Sequence, residues 1–399
     1  MFYQNLLIFS FFILLYGLFA SRIDKTVISG PVLALIVGIV FGPPFLNLFQ
    51  SGLKTEEYRL VAELALALVL FTDASKSNLN VLKKNASLPI RLLLIGLPLT
   101  IVFGMIAGFL IFKGFSWMEI GILATMLAPT DAALGKAVVT NKVVPVKIRE
   151  ALNVESGLND GISVPILFLF IAFFTASQSG SGLDTLYGVM LFIKVIGIGL
   201  LAGLAVTATI AFIAHLSNAH KWISESWKPI LIIALSFSCF TAAQLAGGSG
   251  FIACFAGGFL YGTLNQKYKL SNIAVESAEG AGDMMSLGIW FIFGAFVVNT
   301  FHQEFTWEVA LYALLSLTVL RIIPVYLSLI KTGIPVKDKL FIGWFGPRGL
   351  ATIVFAIIVL DVQLLHLDTI IITTVCVILL SVVLHGFTAN PFIKLLNKK

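Results

Sequence analysis

Long apolar runs, separated by short polar stretches, repeat along the whole chain. A helix needs about 20 mainly apolar residues to cross the hydrocarbon layer of a bilayer, and about thirteen segments qualify by that measure. The predicted spans cover approximately residues 4–21, 27–49, 57–74, 87–112, 117–140, 146–175, 184–216, 226–247, 250–264, 273–299, 306–330, 336–361 and 366–388. We therefore expect an all-α polytopic membrane protein, with one transmembrane domain over residues 1–399 and no soluble regulatory domain.

The composition agrees with a chain that has lipid as its main solvent. Hydrophobic residues make up 58% of it and charged residues only 12%, whereas a soluble domain carries about 25% charged residues. The net charge of +6 does not indicate a nucleic-acid partner, because the basic residues form short clusters between apolar runs rather than one patch. The three cysteines lie singly within apolar runs, so we expect neither a disulfide framework nor a metal centre built on them, and no cofactor.

The basic clusters also predict an orientation. The first apolar stretch has no basic residue before it, and its first cations, Arg22 and Lys25, follow it. That order predicts a first spanning helix with its N-terminus outside, rather than a cleaved signal peptide. With this start, Lys and Arg concentrate in the loops that fall inside, and the C-terminus is cytoplasmic.

Two predicted spans are interrupted by helix-breaking residues. The fifth contains Ala-Pro-Thr-Asp at residues 128–131, and the twelfth contains Gly-Trp-Phe-Gly-Pro-Arg-Gly at residues 343–349. The two breaks take equivalent places if residues 1–175 and 226–388 are six-helix repeats joined by a connector at 184–216. An odd connector inverts the second repeat, and matching broken helices in inverted repeats are typical of secondary transporters.

Five charged residues fall deep within the predicted spans: Asp131, Glu155, Asp160, Arg321 and Arg348. An ionisable group at the bilayer centre costs at least about 2.5–3.5 kcal/mol, so each needs a partner or a function. Arg321 is predicted to pair with Glu155, and Arg348 more loosely with Asp131 and the nearby half-helix ends. Asp160 is then the remaining acid. A desolvated carboxylate of this kind can take a proton when empty and release it when a cation binds.

The sixth span presents two adjoining polar stripes, since residues four apart share a helical face. Glu155 lies above Asn159, and Ser156 lies above Asp160. The second stripe offers a hydroxyl and a carboxylate, which are oxygen ligands suited to an alkali cation. Polar stripes can also hold membrane helices together, and for Ser156 alone that interpretation is equally good.

At these residues the chain resembles the sodium/proton exchangers of the cation/proton antiporter-1 family, in its bacterial and archaeal branch. The most specific part is Glu-Ser-Gly-Leu-Asn-Asp-Gly at residues 155–161, preceded by Pro-Thr-Asp at 129–131. Leu-Phe-Thr-Asp-Ala at 70–74, Arg321 and the Arg-Gly pair at 348–349 are also similar, and the resemblance extends over essentially the whole chain.

The resemblance implies specific roles for these residues. Asp160 would bind Na⁺ (or Li⁺ or K⁺) and H⁺ in competition, with Thr130, Asp131 and Ser156 helping to coordinate the cation. Glu155 and Arg321 would form a structural pair that fixes Asn159, and Arg348 would support the site. The resemblance further implies electroneutral exchange, a homodimer with elevator-type movement, and a place in the bacterial or archaeal cell membrane.

Other acids are predicted at the inner face. Asp73 is an entry ligand for the cation or, equally, a solvated helix end. Glu276, Glu279 and Asp283 form an inner-funnel acidic cluster or, as the better interpretation, a solvated helix start.

Three alternative functions share part of this pattern. A cation channel would also use intramembrane acids, and a K⁺/H⁺ antiporter would use the same site with a different selectivity. Gly-Ala-Gly-Asp at residues 280–283 matches an intramembrane aspartyl protease motif, but the required Tyr-Asp pair does not occur in the sequence. We therefore expect a transporter rather than an enzyme.

Overall fold

The structure is a computed structural model that describes residues 2–23, 26, 28–43, 45–49, 55–76, 87–131, 133–178, 185–268, 272–300 and 305–397. Lys25 of the first predicted inner cluster lies outside these residues. Within them the regular structure is entirely helical. The helices, numbered in chain order, are α1 Phe2–Ile23, α2 Gly30–Phe41, α3 Thr55–Lys76, α4 Ser87–Ile111, α5 Trp117–Met126, α6 Lys136–Val139, α7 Val146–Gln178, α8 Thr185–Ala219, α9 Lys228–Leu245, α10 Gly250–Tyr268, α11 Asn272–Thr300, α12 Trp307–Leu317, α13 Val319–Ser328, α14 Val336–Trp344, α15 Leu350–Val359 and α16 Leu367–Asn397.

Eight stretches of helix in the described residues are long and apolar enough to cross a membrane. They are Tyr3–Ile23, Ser87–Ile111, Val146–Gln178, Val189–Ala219, Glu225–Leu245, Ile273–Val297, Trp307–Ser328 and Leu367–Leu396. Shorter apolar helices occur at Gly30–Phe41, Trp117–Met126, Gly250–Asn265 and Leu350–Val359. The multi-pass, all-helical character is therefore confirmed, while the total of thirteen spans in two inverted repeats stays a prediction.

Contacts between residues divide the chain into two compact units. Unit 1 comprises Met1–Ala62, Ser87–Asn159 and Ser286–Lys399, and unit 2 comprises Glu63–Ala86 and Asp160–Met285. In unit 1, α2 and α11 touch through backbone, because a Cβ on Gly38 would stand 2.0 Å from the carbonyl oxygen of Phe291. In unit 2, a Cβ on Gly262 of α10 would stand 2.1 Å from the carbonyl oxygen of Ser75 of α3. Such glycines allow the close helix packing that membrane proteins use in place of a hydrophobic driving force.

Both predicted interruptions are present. In the fifth predicted span, α5 ends at Met126 and the described residues 127–131 and 133–135 are non-helical before α6 begins. In the twelfth, α14 ends at Trp344, residues 345–349 are unwound, and α15 begins at Leu350.

The eleventh predicted span holds an interruption that the sequence analysis missed. Thr318 separates α12 from α13, with φ −114° and ψ −95°, and its hydroxyl donates to the carbonyl oxygen of Leu314 at 2.7 Å. A hydroxyl that bonds one turn back is a known cause of helix bending, and Pro324 removes a further backbone donor inside α13. The irregularity lies one turn before Arg321.

Candidate functional site

The first break, residues 127–135, places buried polar backbone beside α7. The hydroxyl of Ser156 donates to the carbonyl oxygen of Thr130 at 2.6 Å, and the amide of Asn159 donates from Nδ2 to Thr130 Oγ1 at 2.7 Å. All three side chains are buried. One turn of α7 therefore satisfies both the backbone and the side chain of Thr130, which an apolar environment requires. The sequence motifs at 129–131 and 155–161 are thus in direct contact.

The two breaks also contact each other through backbone. The N–H of Asp131 donates to the carbonyl oxygen of Pro347 at 2.7 Å. Unwound chain in each span thereby supplies part of the hydrogen bonding that the other lacks.

Each break carries one charge that faces a half-helix end of the other span. Arg348 Nη1 donates to the carbonyl oxygens of Ala128 at 2.7 Å and Pro129 at 2.8 Å, just beyond the C-terminal end of α5. Asp131 Oδ2 accepts from the N–H of Leu350 at 2.8 Å, the first residue of α15. A cation at a helix C-terminus and an anion at a helix N-terminus both offset the helix dipole.

This arrangement corrects one predicted pairing. Among the described residues, Asp131 and Arg348 share neither a hydrogen bond nor an ion pair. Arg348 instead contacts its second predicted partner, a half-helix end, through the carbonyl oxygens of Ala128 and Pro129. Asp131 Oδ1 also accepts from the N–H groups of Ala133 and Leu134, so three backbone donors surround its carboxylate.

Two glycines of the second break have no room for a side chain. A Cβ on Gly349 would stand 1.7 Å from Asp131 Oδ2, and a Cβ on Gly346 would stand 2.7 Å from Arg321 Nε. The close approach of backbone, rather than an unusual φ, therefore requires glycine at both positions.

The predicted pair of Glu155 and Arg321 forms. Arg321 Nη2 lies 2.6 Å from Glu155 Oε1, and both side chains are buried, at 1% and 2% exposure. The pair joins α7 to α13. The pair was expected to fix Asn159, but in the described residues no hydrogen bond joins it to that side chain. Asn159 donates to Thr130 instead.

A small cavity lies beside the first break. Its volume is about 10 Å³, close to the lower limit of the space needed to hold one water molecule. The polar part of its lining is Thr130, Asp131 and Ser156, three of the predicted cation ligands.

Asp160 follows Asn159 in α7 and belongs to unit 2. It is half-buried and lies one helical turn after Ser156. The next residue, Gly161, packs against α10, because a Cβ there would stand 2.5 Å from the ring of Phe255.

The predicted inner acids differ among themselves. Glu279 forms an ion pair with Lys76, which joins α11 to the last turn of α3. Glu276 and Asp283 are exposed, and Asp73 is half-buried one turn before the end of α3. The cation funnel and the solvated helix start both stay predictions.

Two further acids, Glu119 and Glu63, are buried although they were not predicted among the deep charges. Glu119 caps the start of α5: its carboxylate accepts from the N–H and hydroxyl of Ser116 and from the N–H of His366. The spacing Ser-x-x-Glu before an apolar run is a capping-box signature, so the sequence held the signal.

A match to known proteins extends over nearly all of this chain. A profile of the family described as sodium/hydrogen exchanger, transmembrane, matches residues 8–395. The chain belongs to that family. The predicted family is therefore confirmed.

Curated relatives of this family member carry both potassium and sodium in their names. It is 25% identical over 350 residues to the K⁺/H⁺ antiporter NhaP of Alkalimonas amylolytica, covering 85% of this chain and 58% of that protein. It is 25% identical over 283 residues to the Na⁺/H⁺ antiporter NhaG of Bacillus atrophaeus, covering 69% of this chain and 52% of that protein. The chain thus spans little more than half the length of these relatives.

A solved structure has the same fold. The sodium proton antiporter MjNhaP1 of Methanocaldococcus jannaschii superposes with a TM-score of 0.76 over 98% of each chain, at 21% identity.

Proposed function

We propose that the protein is a Na⁺/H⁺ antiporter in which Asp160 binds the cation and the proton in turn. The observation that carries this proposal is which groups the two buried arginines contact. Arg321 is engaged by Glu155, and Arg348 by two carbonyl oxygens of the first break. Asp131 is stabilised by three backbone donors. We therefore assign the change of charge state during transport to Asp160, the second acid of the 155–161 motif.

Competition at one carboxylate is sufficient for exchange. The Asp160 carboxylate either holds a proton or gives it up and holds a cation, so the site carries one ion in each direction. Ser156 and Thr130 add oxygen ligands, because a hydroxyl oxygen keeps lone pairs when it donates its own hydrogen. Asp131 contributes less directly, since its first task is to cap α15.

Electroneutral exchange follows from the neutral amide of Asn159. Because Asp160 is the one carboxylate that binds either a proton or a cation, one cation exchanges for one proton. Sodium is the substrate we favour and potassium the alternative, as the relatives include exchangers named for each.

The wider architecture is also part of the proposal. We place thirteen spans in two inverted repeats around the connector helix α8, with the N-terminus outside and the C-terminus cytoplasmic. The exchanger works as a homodimer in the cell membrane, with elevator-type alternating access. The likeness in fold to MjNhaP1 and the two matched breaks support the helical arrangement within one protomer.

Reconstitution with a pH-sensitive dye in the lumen tests the function. Sodium, lithium or potassium is imposed as a gradient across proteoliposomes over a range of pH, and the lumenal pH is followed. We expect cation-dependent proton movement in the opposite direction, strongest with sodium. Cation leakage without proton movement would contradict an exchanger and support the channel alternative.

A further inference from the structure

The second break needs partners for its backbone that α15 and α14 cannot supply. Residues 345–349 are unwound in a membrane-spanning segment, and exposed N–H and C=O groups are costly there. Asp131 takes up the N–H of Leu350, as described above. The N–H of Arg348 has its partner on a different helix. The last carbonyl of α14, that of Trp344, accepts from the N–H of Gly346 at 2.9 Å and has a second partner on that same helix.

That helix is α16, through a polar stripe of Ser381, His385 and Thr388. Residues at i, i+4 and i+7 share one helical face. Ser381 Oγ accepts from the N–H of Arg348 at 2.8 Å, and His385 Nε2 lies 2.9 Å from the carbonyl oxygen of Trp344. Thr388 Oγ1 accepts from the indole N–H of Trp344 at 2.9 Å. Ser381 and His385 are buried.

Both ring nitrogens of His385 lie within hydrogen-bonding distance of oxygen atoms. Nε2 faces the Trp344 carbonyl, and Nδ1 lies 2.9 Å from the carbonyl oxygen of Ser381 and 3.1 Å from Ser381 Oγ. Because a carbonyl can only accept, a neutral imidazole donates to one of the two carbonyls at a time. With the hydrogen on Nε2, Nδ1 accepts from the Ser381 hydroxyl, and a chain of hydrogen bonds runs from Arg348 through Ser381 and His385 to Trp344.

We propose that His385 is a positioning residue for exchange: it holds the second break, and through it Arg348, in the geometry that the ion site needs. The proposal rests on the proposed function. Arg348 donates to the carbonyls of Ala128 and Pro129, directly before Thr130. His385 contacts Ser381 and Trp344, so it acts on the site through this backbone.

The α16 stripe also has a counterpart on α7. Ser156 holds the carbonyl of Thr130 in the first break as Ser381 holds the N–H of Arg348 in the second. In the proposed repeats, α7 and α16 occupy equivalent places. The stripe on α7 continues to Asp160, whereas the stripe on α16 contains no carboxylate. Helix α16 therefore positions the second break without adding a second cation site.

Substitutions at His385 test the role by separating affinity from folding. His385→Leu removes both hydrogen bonds, while His385→Gln keeps an amide donor in place of Nε2–H. His220→Leu is the control, because His220 is exposed and its Nδ1 lies 2.9 Å from the carbonyl oxygen four residues back. Each purified variant is measured for half-saturating sodium concentration in proteoliposomes and for thermal stabilisation by sodium chloride against choline chloride, which reports binding without transport.

We expect His385→Leu to raise the half-saturating sodium concentration about tenfold and to shrink sodium stabilisation, in line with the loss of two buried hydrogen bonds. His385→Gln should stay within about threefold of the parent, since it keeps one of them. His220→Leu should change neither value. If His385→Leu does not yield folded protein, Ser381→Ala tests the same chain with a smaller change and should raise the half-saturating concentration by about threefold or more.

An unchanged half-saturating concentration in folded His385→Leu or Ser381→Ala would overturn this inference. So would a His385→Gln variant as impaired as His385→Leu. These results leave the proposed function standing, because the parent still exchanges. A parent protein that neither exchanges any alkali cation for protons nor is stabilised by one would instead contradict the proposed function.

Discussion

The two broken spans solve the same backbone problem with opposite chemistry. The first break presents hydroxyl and carboxylate oxygens, on Thr130 and Asp131, and α7 holds it through Ser156 and Asn159. The second presents a cation, Arg348, and α16 holds it through an uncharged stripe. Because each charge faces the half-helix end of the other break, neither charge needs the other as an ion-pair partner. The first break is thus suited to binding an ion and the second to fixing a permanent charge.

The buried Glu155–Arg321 pair beside the breaks should show the largest effect on stability. Arg321→Ala leaves the Glu155 charge without its partner in a buried site and should lower the free energy of unfolding by about 3–5 kcal/mol. The measurement is the decrease in the midpoint temperature of thermal unfolding of the protein in detergent. Arg59→Ala, which removes an ion pair with Asp361 that is more than one third exposed, should cost at most about 1 kcal/mol. Equal losses in the two variants would contradict the role of the buried pair.

Gly349 tests whether the breaks must touch. Gly349→Ala places a methyl group on Asp131 and should cost about 1–3 kcal/mol, as overpacking does, and should displace the carboxylate from Leu350. Gly386→Ala on α16 is the matched control, because a Cβ there meets nothing within 4 Å. We expect Gly349→Ala to lose stability and exchange while Gly386→Ala keeps both. A Gly349→Ala variant indistinguishable from Gly386→Ala would refute the close contact.

Removal of the Thr130 hydroxyl tests whether the first break, unlike the second, provides oxygen ligands for the ion. Thr130→Val deprives Asn159 Nδ2 of its acceptor at little change in shape, which should cost about 1–3 kcal/mol for an unsatisfied buried donor. The half-saturating sodium concentration should rise by about tenfold or more. Thr373→Val is the control, because that buried hydroxyl bonds only one turn back along α16. Unchanged affinity in Thr130→Val would exclude this hydroxyl from the site.

Asn159→Asp should have a qualitative effect on stoichiometry. A second carboxylate beside Asp160 allows a second proton to be carried, so exchange should move net charge. A voltage-sensitive dye in proteoliposomes would record a sodium-dependent potential in the variant and none in the parent. A silent dye in both proteins, with exchange retained, would contradict the assignment of Asn159.

Much of this site could be predicted from the sequence because its parts obey strong local rules. Pro129 and the glycines around Pro347 predicted both breaks, and the need to neutralise deep charges predicted the pair of Glu155 and Arg321. The partner of Arg348 was less predictable, since backbone carbonyls can replace a carboxylate wherever a helix ends within the membrane.

Other features depended on tertiary contacts that no local pattern fixes. His385 lies alone in an apolar helix, where a packed side chain is the ordinary interpretation, and its role emerges only from the distance to Trp344. Glu119 was not predicted as a buried charge although its capping box is visible in the sequence, because it lies at a helix start rather than near mid-span. The bend at Thr318 depends on a hydroxyl orientation that residue type alone leaves open.

Asp160→Asn tests the central claim most directly. The variant keeps the size of the side chain but cannot exchange a proton for a cation, and Asp368→Asn serves as the control because Asp368 is exposed in the first turn of α16. Both are reconstituted with a lumenal pH dye and given a sodium pulse. We predict that Asp160→Asn falls to the level of empty liposomes while remaining monodisperse, and that Asp368→Asn matches the parent. Sodium-dependent proton movement retained in Asp160→Asn would contradict the account.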